Sequence, residues 1–157
     1  MGNVQSVKSR FAELAITLPN PATPVGSYVV TKRVGSFVYT SGSSCFEKGK
    51  LKYRGRVGKD LTIEEGCDAA RLTVLNLLSQ VEAEIGSLDS ITSIVKLLGF
   101  VNSSLDFFDQ PKVLNAASDL LVEIFGDRGR HTRSAVGVSV LPMNAPVEIE
   151  MIVEVKE

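Results

Sequence analysis

The residue with the most chemistry to offer is Arg133, which opens the run Arg133-Ser134-Ala135-Val136. Downstream lies Val147-Glu148-Ile149-Glu150. In both segments apolar and polar or small residues alternate with the period of a β-strand. With the two strands read as neighbours, Arg133 is expected on the sheet face that carries Glu148 and Glu150, together with Ala135, Gly137 and Ser139. A tight turn would set Glu148 or Glu150 diagonal to Arg133, and a wide loop would set Glu154 opposite it. Two readings follow. Arg133 can pair with a carboxylate across the strands, which contributes about 0.2–1 kcal/mol when exposed. Alternatively, its planar guanidinium is a fork held out to a small carboxylate ligand.

Other reactive residues promise less. Gly42 to Lys50 reads GSSCFEKGK, but the spacing is wrong for a phosphate loop and Leu51 replaces the required hydroxyl residue. His131 is the only histidine, so a histidine-rich metal site is disfavoured, and within Arg128-Gly129-Arg130-His131 it reads as a solvated loop charge. Cys45 and Cys67 lack metal or redox spacing and read as small buried residues. Glu64 and Glu65 fall in a helix first turn, where they offset the helix dipole.

The elements that must position Arg133 and Glu148 come from periodicity. Val4, Val7, Phe11 and Leu14 mark one face of a short N-terminal helix, an extension over residues 1–18 that the prolines from Pro19 onward terminate. Tyr28–Val34 and Phe37–Thr40 form a hairpin about Gly35-Ser36, and residues 47–60 form a polar loop with room for a short strand. Thr62 and Glu65 make a capping box before a long helix whose apolar face includes Cys67, Ala70, Val74, Leu77 and Val81, with Gly86 as its stop. Ile91–Val101 is apolar on both sides apart from Lys96, as a central strand is. Pro111 opens a second helix that Gly126 ends. Two strands joined by Leu141–Pro146 close the chain and are expected to pair antiparallel. The order is ββαβαββ: a single-domain α/β sandwich over 1–157, with a mixed sheet and two main helices on one face. The small-residue face of the last pair is then helix-free, and needs water or another subunit.

Composition bounds the function. The chain has 157 residues, 44% hydrophobic and 22% charged, with Lys plus Arg 17 against Asp plus Glu 18. Disorder is excluded and extended nucleic-acid contact is disfavoured. No apolar run nears the roughly 20 residues that span a bilayer. The N-terminus lacks the features of a signal peptide, and its match to a myristoylation pattern at Gly2 and Ser6 is short enough to arise by chance. A cytoplasmic protein is expected.

A further set of segments falls in a familiar order: Pro24-Val25-Gly26-Ser27-Tyr28, Thr40-Ser41-Gly42, Gly99-Phe100-Val101, Asn115, Arg133-Ser134-Ala135-Val136, Leu141-Pro142 and Val147-Glu148-Ile149-Glu150. From about Pro19 to the C-terminus the chain resembles the YjgF/RidA family of enamine/imine deaminases, in a longer-chain subgroup. The resemblance implies a chorismate-mutase-like fold, a homotrimer with clefts between subunits, and no cofactor or metal. It implies that Arg133 holds a substrate carboxylate and Glu148 orients or deprotonates the hydrolytic water. Backbone at Gly42 and Ala135 would touch substrate, and Tyr28, Phe100 and Asn115 would line the cleft. Ala135 stands where the family often has Cys, and Arg130-His131-Thr132 replaces an apolar-Pro approach. The implied reaction converts 2-aminoacrylate-like enamines and imines to 2-oxo acids and ammonia. The alternatives are a trimeric protein that binds small carboxylates without turnover and, third, an endoribonuclease.

Overall fold

The structure is a computed structural model that describes residues 5–157. Val4 and Gly2, named above for the N-terminal helix and the myristoylation pattern, lie outside the described residues. Helix α1 (Val7–Glu13) is capped by Ser6, whose hydroxyl accepts from the Ser9 amide. It is fastened by Arg10 Nε, which donates to the Glu123 carbonyl at 2.7 Å.

The main sheet contains β1 (Thr31–Val34), β2 (Phe37–Thr40), β5 (Ile91–Asn102), β6 (Thr132–Val138) and β7 (Val147–Val155), in the order β1-β2-β7-β5-β6. The loop expected over residues 47–60 holds a small hairpin of β3 (Phe46–Glu47) and β4 (Lys50–Leu51). Helices α2 (Ile63–Ile85) and α3 (Gln110–Phe125) pack against each other and cover one face. The capping box of α2 is formed reciprocally: Thr62 Oγ1 accepts from the Glu65 amide at 3.2 Å and Glu65 returns to the Thr62 amide at 2.8 Å. Gly86 stops α2 at φ 81°, left-handed backbone that glycine adopts without a Cβ penalty. The fold class is therefore the expected α/β sandwich with a mixed sheet.

One expectation about the sheet is overturned. The last two strands are not neighbours, because β5 lies between them. Strand β6 pairs parallel with β5 from Lys96↔Thr132 to Asn102↔Val138, and β7 pairs antiparallel with β5 on its other side. The physical reason lies in the connections. Strand β5, helix α3 and strand β6 form a strand–helix–strand unit, whose crossover makes the two strands parallel partners. Residues 141–146 therefore span β5 rather than turn a hairpin, with Met143 and Asn144 both at φ 58° in the bend.

Residues in register across the three strands share a face. Arg133, Leu97 and Met151 are aligned, as are Ala135, Gly99 and Ile149. Leu97, Ile149 and Met151 are buried beneath the helices. Glu148, Phe100 and Val136 form one row of the opposite face, and Glu150, Leu98 and Ser134 the next. Ala135 and Gly137 thus lie on the helix side of the sheet, not on the open side. A Cβ at Gly99 would meet Leu114 Cδ1 at 2.2 Å, and one at Gly137 would meet Gln110 Nε2 at 2.5 Å. Small residues are required there because a helix approaches the strands closely.

Candidate functional site

Arg133 does not share a face with Glu148 or Glu150. Its side chain runs over the helix-side edge of the sheet to α3, where Nη1 donates to Asn115 Oδ1 at 3.0 Å and to Ser118 Oγ at 3.1 Å. Asn115 and Ser118 are spaced i, i+3 on α3 and so present their polar atoms side by side. Both hydrogens of Nη1 are used, while Nη2 and Nε remain as a two-donor edge. No carboxylate lies within ion-pairing distance of Arg133 among the described residues. An unneutralised, half-buried guanidinium with one edge fixed suits bidentate capture of an anion. Ala135 follows two residues on, on the same face.

His131 is a second correction. It is not a solvated loop charge but half-buried, with Nδ1 2.7 Å from the Gly129 carbonyl and Nε2 2.9 Å from Ser118 Oγ. Burial, aided by the Arg133 charge and opposed by the Gly129 carbonyl, pushes the imidazole below the usual histidine range. Ser118 and His131 escaped sequence reasoning as partners of Arg133. The available signal was that Asn115 and Ser118 share one face of a helix that must pack on the strand carrying Arg133.

Glu148 sits elsewhere, on the helix-free face of β7. Strand β2 continues past Thr40, and Ser43 pairs with Ile149 by exchanging both backbone bonds, at 2.9 and 3.0 Å. Tyr39 is opposite Ile152 and Ser43 opposite Ile149, so the segment holds one extra residue, a β-bulge. Within it Thr40 Oγ1 accepts the Met151 amide at 2.9 Å. The bulge brings Gly42 against the Glu148 carboxyl so closely that a Cβ there would meet Oε1 at 2.2 Å. Burial, followed by the neighbouring Glu150 charge, pushes Glu148 above the usual carboxylate range. Phe100 is its register partner. Tyr28, Gly42 and Ser43 also border a half-open groove of about 1130 Å³ beside α2.

The named residues therefore fall into two groups within one chain. Arg133, Asn115 and Ala135 lie at the β6–α3 edge. Glu148, Gly42 and Phe100 gather about β7, and Tyr28 borders the same groove as Gly42. Of the two cysteines, Cys45 is buried as expected but Cys67 is only partly so, because it lies at the rim between α2 and α3 where Sγ donates to the Lys112 carbonyl at 3.6 Å. Among the described residues no group of three or more His, Cys, Asp and Glu side chains is placed to hold a metal. Nor is any helix long and apolar enough to cross a membrane.

A five-stranded mixed sheet with two long helices on one face, an arginine fixed at its edge and a glutamate on its open side define a class of α/β sandwich. Residues 8–155 match the family described as "YjgF/chorismate_mutase-like, putative endoribonuclease". Protein TCP17 of Trypanosoma cruzi is 41% identical over 149 residues, 94% of this chain and 93% of that one. The 2-iminobutanoate/2-iminopropanoate deaminase of Dermatophagoides farinae is 30% identical over 146 residues, 90% of this chain and 95% of that one. The crystal structure of Atu1372 from Agrobacterium tumefaciens, described as of unknown function, superposes with a TM-score of 0.89 at 41% identity, covering 96% of this chain and 92% of that one. The chain belongs to the YjgF family.

Proposed function

We propose that the protein hydrolyses small enamine/imine acids to 2-oxo acids and ammonia, in clefts built from two copies of the chain within a homotrimer. The observation that carries this reading is Arg133, a cation held by neutral partners with its Nε/Nη2 edge uncommitted. That edge grips the substrate carboxylate. Glu148, over Gly42, directs water onto the imine carbon. Its raised affinity for a proton suits it to take one from the attacking water and pass it to the imine nitrogen, and then to carry the remaining hydroxyl proton to the same nitrogen as the tetrahedral intermediate collapses. A carbon–oxygen bond forms, the carbon–nitrogen bond breaks, and ammonia leaves. The imine carbon is already electrophilic, so fixing the substrate and aiming water is enough.

Arg133 and Glu148 lie on opposite faces with β5 between their strands, so one substrate can meet both only where two copies join. The open sheet face favours such an assembly. Val34 is 55% exposed, Tyr39 44% and Val136 41%, beside half-buried Leu98, Phe100 and Ile152. That is an apolar surface for a partner to cover. A solution mass of about three times 16.9 kDa is expected, and a monomer would contradict the composite cleft.

The activity is tested by generating 2-aminoacrylate with a serine dehydratase and following imine decay. The wild type accelerates decay and Arg133→Ala does not. Equal acceleration by both would remove the proposal. A second reading, a trimer that binds small carboxylates without turnover, is favoured by the separation of Arg133 from Glu148 within one chain. It predicts Arg133-dependent binding with no effect of Glu148→Gln on imine decay. A ribonuclease is less well supported, because the net charge is −1 and the one histidine is tied to Ser118 and Gly129.

A further inference from the structure

We propose that His131 and Ser118 form a positioning relay that sets the orientation of the Arg133 guanidinium. The inference rests on the reading that Arg133 grips a carboxylate, and it adds two residues to that grip.

The direction of each hydrogen bond follows from donor and acceptor chemistry. The Gly129 carbonyl can only accept, so His131 Nδ1, 2.7 Å away, carries the ring proton. In the neutral ring Nε2 is then a bare acceptor. Ser118 Oγ, 2.9 Å from Nε2, must spend its single hydrogen there. Its lone pairs are thereby turned toward Arg133, whose Nη1 lies 3.1 Å away. The second Nη1 hydrogen goes to Asn115 Oδ1 at 3.0 Å. With Nη1 doubly anchored, the guanidinium plane is fixed and its free Nε/Nη2 edge faces away from α3. The opposite tautomer would set a lone pair against the Gly129 carbonyl and remove the reason for Ser118 to present an acceptor. The burial that disfavours the imidazolium keeps the relay in its neutral form.

Neither residue touches a substrate carboxylate in this scheme. Both act through Arg133, and their loss leaves the cation present but free to rotate. The expected cost is about tenfold in carboxylate affinity.

The test uses the full chain labelled with nitrogen-15. His131 is the only histidine, so the imidazole signals belong to it alone. Near neutral pH the ring is expected as the Nδ1-protonated tautomer, with an Nε2 signal that shifts in Ser118→Ala. Exchange of the Arg133 guanidinium protons with water is expected to quicken at least tenfold in Ser118→Ala and His131→Ala. His131→Gln, whose Oε1 can accept from Ser118, should restore slow exchange. A merely structural role would not produce that rescue, and if His131→Ala fails to fold, Ser118→Ala and His131→Gln carry the test. An Nε2-protonated ring, or exchange unchanged by these substitutions, would overturn the relay. Titration with 2-oxobutanoate separates the two proposals. Binding that Arg133→Ala leaves intact defeats the carboxylate grip, whereas the tautomer and exchange rates judge the relay with no ligand present.

Discussion

The β6–α3 edge and the β2–β7 bulge solve opposite electrostatic problems. At the edge a cation is surrounded by neutral acceptors, Asn115 and Ser118, that fix its direction without cancelling its charge. At the bulge an anion is partly buried against glycine backbone and beside a second carboxylate, which raises its affinity for protons. The edge therefore suits the holding of something negative, and the bulge the exchange of a proton, as the proposed reaction requires of each. One chain keeps the two apart, so the proposed hydrolysis makes assembly a condition of chemistry rather than an accessory to it.

The comparison can be broken from either side. The largest effect is expected at Arg133 itself. Arg133→Lys should lose at least about tenfold in imine turnover, because an ammonium cannot reproduce the fork or satisfy Asn115 and Ser118 together. Steady-state decay of 2-aminoacrylate measures it, and near-wild-type turnover would show that only charge matters. Gly42→Ala attacks the bulge. Its new Cβ would sit 2.2 Å from Glu148 Oε1, so the carboxyl must swing away. Turnover should fall several-fold while thermal stability changes little, since the displaced atoms are the far end of a flexible side chain. An unchanged rate would detach Glu148 from the chemistry.

Gly99→Val tests the close approach of α3 on which both the packing and the Arg133 anchor depend. Leu114 occupies the space, so the substitution should destabilise by about 1–3 kcal/mol, read from urea unfolding, and lift α3 with Asn115 and Ser118 from Arg133. The smallest effect is expected from Glu148→Gln on stability. The folded carboxyl binds its proton more tightly than the unfolded one, so stability falls as pH rises from the ordinary value of 4.5 through the raised one. Glu148→Gln should therefore be slightly more stable than wild type at neutral pH, by well under about 1 kcal/mol after solvent screening, and should match it below pH 4.5. A Tm series against pH reads this, and the opposite sign would place Glu148 in a stabilising pair.

Local chemistry made much of the fold legible. Thr62 and Glu65 announced a helix start and Gly86 its end, because capping depends on a few adjacent atoms. The two-sided apolar run of β5 announced an interior strand. What alternation could not reveal was which strands are neighbours or which face points inward. The short Leu141–Pro146 segment suggested a hairpin, but β5 needs a partner on each side and takes β6 and β7. The valines of β6 alternate as a core-facing set would, but the close approach of α3 at Gly99 and Gly137 reserves the inner side for small residues. That inversion moved Arg133 to the helix side and hid its partners Ser118 and His131.

The central claim, that one active site takes its arginine and its glutamate from different copies, is tested most directly by co-expressing Arg133→Ala with Glu148→Gln. Each variant alone should be inactive toward 2-aminoacrylate. In mixed trimers an intact site forms wherever the arginine of one copy meets the glutamate of the other, so about a quarter of wild-type activity should return at equal mixing. Mixed trimers as inactive as their parents would contradict the account.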